Sequence, residues 1–173
     1  MSGDINIRSG RYFIARTVAT CWCCRASTRL IAVALPPEHE TLAMDADAGP
    51  EELVHDTWQE ASCNAFLFYI DYLSDDVQKQ LSKISSFYRF DFNTATSGTY
   101  WANHCERCGA ILDDHDLFCE PGGAFLPTAH SSAAAIELLR VEKPIEAGAA
   151  GYACEPEFFA SMEGSEAPWP SIF

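Results

Sequence analysis

Long apolar runs are missing from this sequence, and so is an apolar stretch behind a basic start near its N-terminus. A helix that spans a bilayer needs about 20 mostly apolar residues, and a secretory signal needs a basic start followed by an apolar stretch. We therefore expect neither, and we predict a cytoplasmic protein whose cysteines stay reduced, because disulfides are rare in that compartment. The length of 173 residues is typical of a single domain, which we place at 1–173.

Basic residues are scarce. The chain has 11 lysines and arginines against 25 aspartates and glutamates, which gives a formal net charge of −14. This charge repels nucleic acid unless a local basic patch intervenes. The nearest approach to such a patch consists of Arg8, Arg11, Arg16, Arg25 and Arg29. We therefore predict an acidic protein that acts through protein–protein contacts, such as an inhibitor or immunity-type partner of a basic protein, and keep a nucleic-acid-binding zinc ribbon as the alternative.

Familiar catalytic motifs are also missing: the sequence has no phosphate-cradling glycine loop, no HExxH and no nucleophile elbow. The acidic run at 113–116 contains His115 and could supply a general acid and base. A hydrolase using Asp114 and His115 is therefore a distant alternative, although such a run is more often a solvated turn. The main prediction is a non-enzymatic protein.

Cysteine is the residue type that this sequence has in abundance, with eight in total. Two pairs are separated by two residues, Cys21 with Cys24 and Cys105 with Cys108, and this gap lets one tight turn aim both sulfurs at one metal ion. Each pair lies between two predicted strands, as in a zinc ribbon. We therefore predict one structural Zn²⁺ held by these four thiolates. The segment between the pairs is much longer than the roughly 15 to 20 residues of the compact motif, and we expect it to form the rest of the sheet.

Other residues near the pairs leave alternatives open. Cys23 points away from the metal in this register and is expected to pack as a small apolar side chain, although it could compete with Cys24. His104 and His115 are alternative ligands by proximity. Both positions also suit an ordinary surface or hydrogen-bonded histidine.

The residue after each pair differs. Gly109 follows the second pair and permits the positive φ that such a turn commonly needs, whereas Arg25 occupies this place after the first pair. The remaining cysteines are predicted to be buried and chemically inert: Cys63, Cys119 and Cys154.

The chain resembles a group of bacterial zinc-ribbon-type proteins in two stretches, TCWCCRASTRLIAVAL and TYWANHCERCGAILDDHDLFCEPGGAF. In that group a Cys-Trp-x-Cys knuckle leads into an apolar strand, and a later Asn-His/Lys-Cys-x-x-Cys-Gly knuckle precedes an acidic turn and a Pro-Gly-Gly segment. The resemblance implies Cys21, Cys24, Cys105 and Cys108 as zinc ligands and implies no substrate. The cysteine at position 23 departs from the pattern.

Apolar periodicity predicts an α+β fold with a predominantly antiparallel sheet, a zinc-ribbon-like pair of knuckles and a few short helices. Strands are predicted at 11–20, 28–35, 64–73, 87–92, 99–104, 110–118 and from about 136 to 142. An amphipathic helix is expected after Ser74, because Val77, Leu81 and Ile84 share one face, and a short helix after Pro156. We predict an exposed acidic loop near 37–52 and a loose C-terminal tail near 164–173.

Overall fold

The computed structural model describes residues 4–43, 57–154 and 156–162, and it has the predicted α+β fold. Its helices are α1 (Asp75–Ile84), α2 (His130–Ala133) and α3 (Pro156–Phe159), with a π-helical turn at His115–Cys119. Its strands are β1 (Ile7–Ser9), β2 (Tyr12–Thr20), β3 (Ser27–Leu35), β4 (Glu40–Ala43), β5 (Thr57–Glu60), β6 (Ala65–Leu73), β7 (Tyr88–Asn93), β8 (Gly98–His104), β9 (Ile111–Leu112), β10 (Glu137–Val141) and β11 (Ile145–Cys154).

The strands form two sheets in which every pair is antiparallel. The larger sheet has the order β10-β2-β3-β6-β11-β1-β4-β5, and the smaller has the order β7-β8-β9. Among the residues that the structure describes, no helix is both long and apolar enough to cross a membrane.

The centre of the larger sheet is buried on both faces, because its strands are apolar at successive positions. On β2, Tyr12 and Ile14 contribute to the core on the face that α1 covers, which we call the α1 face. Phe13 and Ala15 contribute to the core on the opposite face. There they pack with residues from the second half of the chain, including Phe118.

Most of the predicted elements are confirmed, while the short elements β1, β5 and α2 were not predicted and three further regions differ. Residues 110–118 are predicted as one strand, but only Ile111–Leu112 is extended. The chain then turns into the π-helical segment, because the buried Asp114 side chain faces inward and Leu117 and Phe118 enter the core.

The predicted acidic loop near 37–52 is wrong over Glu40–Ala43, which forms β4 between β1 and β5. The preceding His39 is buried, and its ring nitrogens bond to the Pro36 carbonyl at 2.6 Å and the Tyr152 hydroxyl at 2.6 Å. The remainder of that loop, 44–52, and the predicted tail, 164–173, lie outside the described residues.

Sequence patterns missed the ten-residue strand β11, because its alanines and glycines have low strand propensity. Tertiary packing explains its composition. A Cβ atom on Gly151 would lie only 2.2 Å from the Phe68 ring, and one on Gly148 would lie 2.6 Å from an Asp71 carboxylate oxygen. Small residues are therefore needed where β11 passes β6.

One side chain joins the two sheets. β3 pairs with β6 only over Val33, Ala34 and Leu35, so the backbone of Ile31 has no partner on β6. The Asn103 side chain, on β8, makes the two hydrogen bonds that β6 would otherwise make with Ile31. Its Oδ1 accepts from the Ile31 N–H at 2.9 Å, and its Nδ2 donates to the Ile31 carbonyl at 2.9 Å. This paired contact sets β8, and the cysteines that follow it, beside the tip of the β2–β3 hairpin.

Candidate metal centre

The four cysteines of the two pairs meet at one place. Their Sγ atoms all lie within 4.8 Å of one another. The Sγ atoms of Cys21 and Cys108 are 3.7 Å apart, and those of Cys24 and Cys105 are 3.6 Å apart. A tetrahedral zinc ion with Zn–S bonds of about 2.3 Å requires sulfurs about 3.8 Å apart. The cluster can therefore hold a metal ion such as zinc.

The first knuckle follows β2 and is closed by its own backbone. The Cys21 N–H donates to the Ala26 carbonyl at 2.8 Å, and the Arg25 N–H donates to the Cys21 carbonyl at 3.0 Å. The Cys23 N–H approaches the Cys21 sulfur at 3.4 Å. This turn requires Arg25 to adopt a φ of 61°, in the left-handed region that side chains other than glycine disfavour.

The second knuckle follows β8 and repeats the pattern. The Cys105 N–H donates to the Ala110 carbonyl at 2.8 Å, the Gly109 N–H donates to the Cys105 carbonyl at 2.9 Å, and the Arg107 N–H approaches the Cys105 sulfur at 3.4 Å. Gly109 has a φ of 76°, as its position in the sequence predicts. The two knuckles therefore share one backbone geometry.

Backbone donors and neighbouring thiols act on the ionisation of the second pair. The Cys108 N–H lowers the pKa of the Cys105 thiol to about 6, which burial opposes and the Arg107 N–H supports. At Cys108, the Ala110 N–H lowers the pKa, but burial and the three neighbouring thiols outweigh it and raise the value to about 12. Repulsion between neighbouring thiolates keeps some of these four cysteines protonated when no cation is present. A metal that binds all four as thiolates therefore releases protons.

Contacts outside the sulfur cluster hold the knuckles together. The Trp22 indole N–H donates to the Ile111 carbonyl at 2.9 Å, although 61% of Trp22 is exposed. The Glu106 N–H donates to the Thr28 hydroxyl at 3.1 Å, and the Glu106 carboxylate accepts from Arg29 Nε at 2.8 Å. Sequence patterns did not predict these contacts or the role of Asn103, since each depends on residues far apart in the chain.

The cluster lies at the boundary between core and solvent. Cys21 and Cys105 are buried, Cys24 is partly buried and Cys108 is exposed. Cys23 lies outside the cluster, as the spacing predicts. The expectation that Cys23 packs as an apolar side chain is wrong, because Cys23 is exposed.

Neither histidine joins the sulfurs. His104 is buried, with Nδ1 3.0 Å from the Ala102 carbonyl and Nε2 3.0 Å from an Asp91 carboxylate oxygen. His115 is exposed, and its Nδ1 lies 3.5 Å from Glu120. Both are accounted for by ordinary hydrogen bonds and ion pairs.

The other three cysteines correct the sequence-based expectation. Cys63 and Cys154 form a disulfide, and Cys119 is a free, exposed thiol. Cys154 ends β11 opposite Ala65, and Cys63 precedes β6, so antiparallel pairing brings their Cα atoms within 6.0 Å. The predictions that these cysteines are buried and that every thiol is reduced are therefore wrong. The disulfide follows from β11, which was not foreseen, whereas Cys119 is exposed at the end of the π-helical turn.

The acidic run does not form an acid–base pair. Asp114 is 2% exposed, and its Oδ2 accepts from the Tyr69 N–H at 2.7 Å. Asp113 accepts from Asn93 at 2.6 Å and from the His115 N–H at 2.8 Å. The Asp114 side chain thus faces inward while the His115 side chain faces solvent, which removes the basis of the hydrolase alternative.

Asp114 nevertheless has an unusual environment. Its Oδ1 is buried and has no hydrogen-bond partner among the described residues. Burial raises the pKa of this carboxyl to about 7, against the lowering effect of the Tyr69 N–H, and the Asp113 carboxylate adds to the rise. Tyr69 itself has a φ of 49°, so the Asp114 bond supports a disfavoured backbone in β6.

Comparisons with protein-family models, with curated proteins and with solved structures gave no match to the chain. The resemblance to bacterial zinc-ribbon-type proteins therefore stays a prediction.

The left-handed backbone of the first knuckle gives a test of its geometry. Arg25→Gly should raise the free energy of unfolding by about 1 kcal/mol relative to Arg25→Ala, because glycine adopts positive φ without strain. The alanine variant also lacks the arginine charge and is therefore the matched control. Gly109→Ala should lower stability by about 1 kcal/mol, since a Cβ there meets no atom within 4 Å and only the backbone cost remains. Urea unfolding measures all three; a glycine variant no more stable than the alanine variant contradicts the geometry.

Asp114 predicts a pH dependence of stability. In the unfolded chain this carboxyl ionises near pH 4, whereas in the folded protein its pKa is about 7. The folded state holds the extra proton between these values, so stability falls as pH rises through this window, by on the order of 3–4 kcal/mol. Asp114→Asn cannot ionise, and its amide oxygen can still accept from Tyr69.

The comparison needs urea unfolding at several pH values between 5 and 8. The stability of Asp114→Asn relative to the parent should increase across this range. Asp116→Asn changes an exposed carboxyl nearby and should follow the parent. A constant difference between Asp114→Asn and the parent would show that Asp114 is already ionised at pH 5.

Proposed function

We propose that the protein binds one structural Zn²⁺ through Cys21, Cys24, Cys105 and Cys108, and that it acts without catalysis as an acidic binding partner of a basic protein. The observation that carries the metal proposal is the convergence of four sulfurs within 4.8 Å from two knuckles of the same backbone geometry.

Zinc suits this donor set. A catalytic zinc keeps an open position beside three protein ligands, whereas four thiolates close the coordination sphere. When bound, the ion would supply folding free energy, because metal binding and folding are coupled in such sites. The chain places the first knuckle at the tip of a hairpin of the larger sheet and the second at the end of a strand of the smaller sheet. A metal here therefore stabilises the junction of the two sheets.

The distribution of charge supports a basic protein partner. Five acidic residues lie at the start of α1 and at the adjoining ends of β6 and β11, where the Ser74 N–H bonds to the Glu146 carbonyl at 3.3 Å. Two of them have cationic neighbours, since Asp76 lies 3.9 Å from Lys79 and Glu146 lies opposite Arg8 in the strand register. We call this region the acidic end; its residues are Asp4, Asp71, Asp75, Asp76 and Glu146.

The alternative of nucleic-acid binding draws no support from the arginines. Three of the five arginines near the N-terminus are engaged by carboxylates, and these ion pairs are Arg8 with Glu40, Arg16 with Glu137 and Arg29 with Glu106. Arg8 also lies over the Trp58 ring at 4.1 Å. The five therefore do not present one uncompensated basic surface.

Zinc content tests the metal proposal directly. The parent protein, purified under reducing conditions without chelator, should contain close to one zinc per chain by elemental analysis. Serine substitution of any of the four cluster cysteines should reduce zinc well below one per chain and lower folding stability, because a closed site loses one thiolate.

Cys23→Ser is the matched control, since Cys23 adjoins a ligand but lies outside the cluster. It should retain zinc and stability. Loss of zinc by Cys23→Ser with retention by Cys24→Ser would show that the ligand register is wrong. A parent protein without zinc would end the metal proposal.

The partner proposal predicts that association is steered by charge. For a partner captured from the native host and then purified, raising the salt concentration should slow association more than it speeds dissociation. Asp76→Asn combined with Glu146→Gln should slow association at low salt. Asp116→Asn combined with Glu120→Gln removes the same charge elsewhere and should have a smaller effect.

Surface plasmon resonance measures both rates. Equal rates for the two double variants would remove the acidic end as the contact surface. Tight binding to random duplex DNA at physiological salt would instead favour a nucleic-acid-binding protein.

A further inference from the structure

A cleft of about 580 Å³ opens on the α1 face of the larger sheet, beyond the end of α1. This volume lies within the range of small-molecule sites. Its floor is formed by β2 and β3, and its walls by the residues that end and follow α1, by Glu106 of the second knuckle and by Glu137 of β10.

The cleft exists because the helix is shorter than the strands beneath it. α1 ends at Ile84, and Ser85 is already extended, whereas β2 and β3 continue to the hairpin tip. On β2 the side chains that follow Ile14 on this face are therefore uncovered. Arg16 and Val18 are exposed, Val18 by 58%, although Tyr12 and Ile14 precede them on the same face and are buried.

The strand register arranges four floor side chains in a square. Arg16 lies opposite Ile31, and Val18 lies opposite Arg29. All four belong to the α1 face, since side chains two residues apart share a face. The two arginines thus occupy one diagonal, with backbones roughly 7–8 Å apart, and the two apolar residues occupy the other.

Each arginine forms an ion pair with a wall carboxylate. Arg16 donates from Nε and Nη2 to Glu137, with the Nε bond at 2.9 Å. Arg29 donates from Nε to Glu106 Oε1 at 2.8 Å, and its Nη2 lies 2.6 Å from the same oxygen in an ion pair. Each carboxylate uses one edge of a guanidinium. Among the described residues, no acceptor meets the Nη1 donors of either arginine, so each retains a positioned donor group.

Charge and polarity together indicate the ligand. Three of the chain's 11 cationic side chains line this cleft, Arg16, Arg29 and Lys83, against two carboxylates. In a chain of net charge −14, this cleft is a place where two arginines lie diagonally on neighbouring strands, each with Nη1 donors that its carboxylate partner does not use. Apolar surface from Val18 and Ile84 lies beside these cations.

We propose that this cleft binds a small amphipathic anion, meaning an apolar body that carries one phosphate, sulfate or carboxylate group. The anionic group bonds to Arg16 and Arg29, and the apolar body contacts Val18 and the wall at Ile84. The negative end of the α1 dipole lies on that wall, which places the anion on the arginine side.

The probe for this site is 2-naphthyl phosphate, titrated by isothermal calorimetry into the full chain as purified. Inorganic phosphate supplies the anion without the apolar body, and 2-naphthol supplies the apolar body without the anion. The proposal expects 2-naphthyl phosphate to bind at least tenfold more tightly than either.

Variants assign the binding to the cleft. Arg16→Gln and Arg29→Gln should each weaken binding about tenfold, because each loses a charge-assisted hydrogen bond. Val18→Asp should weaken it similarly by placing a carboxylate on the floor. Arg89→Gln removes an exposed arginine of β7 and should leave binding unchanged. Circular dichroism establishes that each variant is folded.

Several results would overturn the proposal. One is a folded Arg16→Gln/Arg29→Gln double variant that binds 2-naphthyl phosphate as tightly as the parent does. Another is equal affinity of the parent for 2-naphthyl phosphate and 2-naphthol. The third is no binding of 2-naphthyl phosphate at millimolar concentration. Cleft-dependent binding of a polyglutamate peptide without binding of 2-naphthyl phosphate would show that the occupant is an acidic macromolecule instead.

Discussion

The paired hydrogen bonds between Asn103 and Ile31 determine where the second half of the molecule lies. Each side-chain amide atom bonds to one backbone group of Ile31 at 2.9 Å, so the smaller sheet is joined to β3 as a strand would be. Asn103 is buried, and loss of its amide would leave two buried backbone groups without partners. Because Cys105 is only two residues away, the same contact brings the second knuckle to the first.

The need for Asn103 arises from the irregular course of β6. Continued pairing of β3 with β6 would set Ile31 opposite Tyr69, but Tyr69 has a left-handed backbone and its N–H bonds to Asp114. Where the pairing of β3 with β6 stops, side chains therefore bond to the unpaired backbone groups. Asn103 bonds to Ile31 of β3, and Asp114 bonds to Tyr69 of β6. The buried carboxyl of Asp114 is the cost of this arrangement, since one of its oxygens has no partner among the described residues and its pKa is raised to about 7.

The sequence predicted those features that depend on residues close together in the chain. The spacing of the cysteines, Gly109 after the second pair and the apolar face of α1 each act within a few residues, and the structure agrees with them. The missed features depend on distant residues. Strand β11 is rich in small residues, among them Gly151, where the Phe68 ring leaves no room for a Cβ, and the position of the strand creates the Cys63–Cys154 disulfide. No spacing rule applies to a pair of cysteines brought together by an unforeseen strand.

The two proposed sites share a structural element. Glu106 lies between Cys105 and Cys108, its N–H bonds to Thr28, and its carboxylate orients Arg29 on the floor of the cleft. A metal that fixes the second knuckle therefore also fixes the carboxylate that positions one of the two proposed anion-binding donors. Arg16 instead pairs with Glu137, which belongs to β10 and not to either knuckle. Metal loss should consequently disturb the two arginines unequally, with Arg29 losing its orientation and Arg16 retaining it.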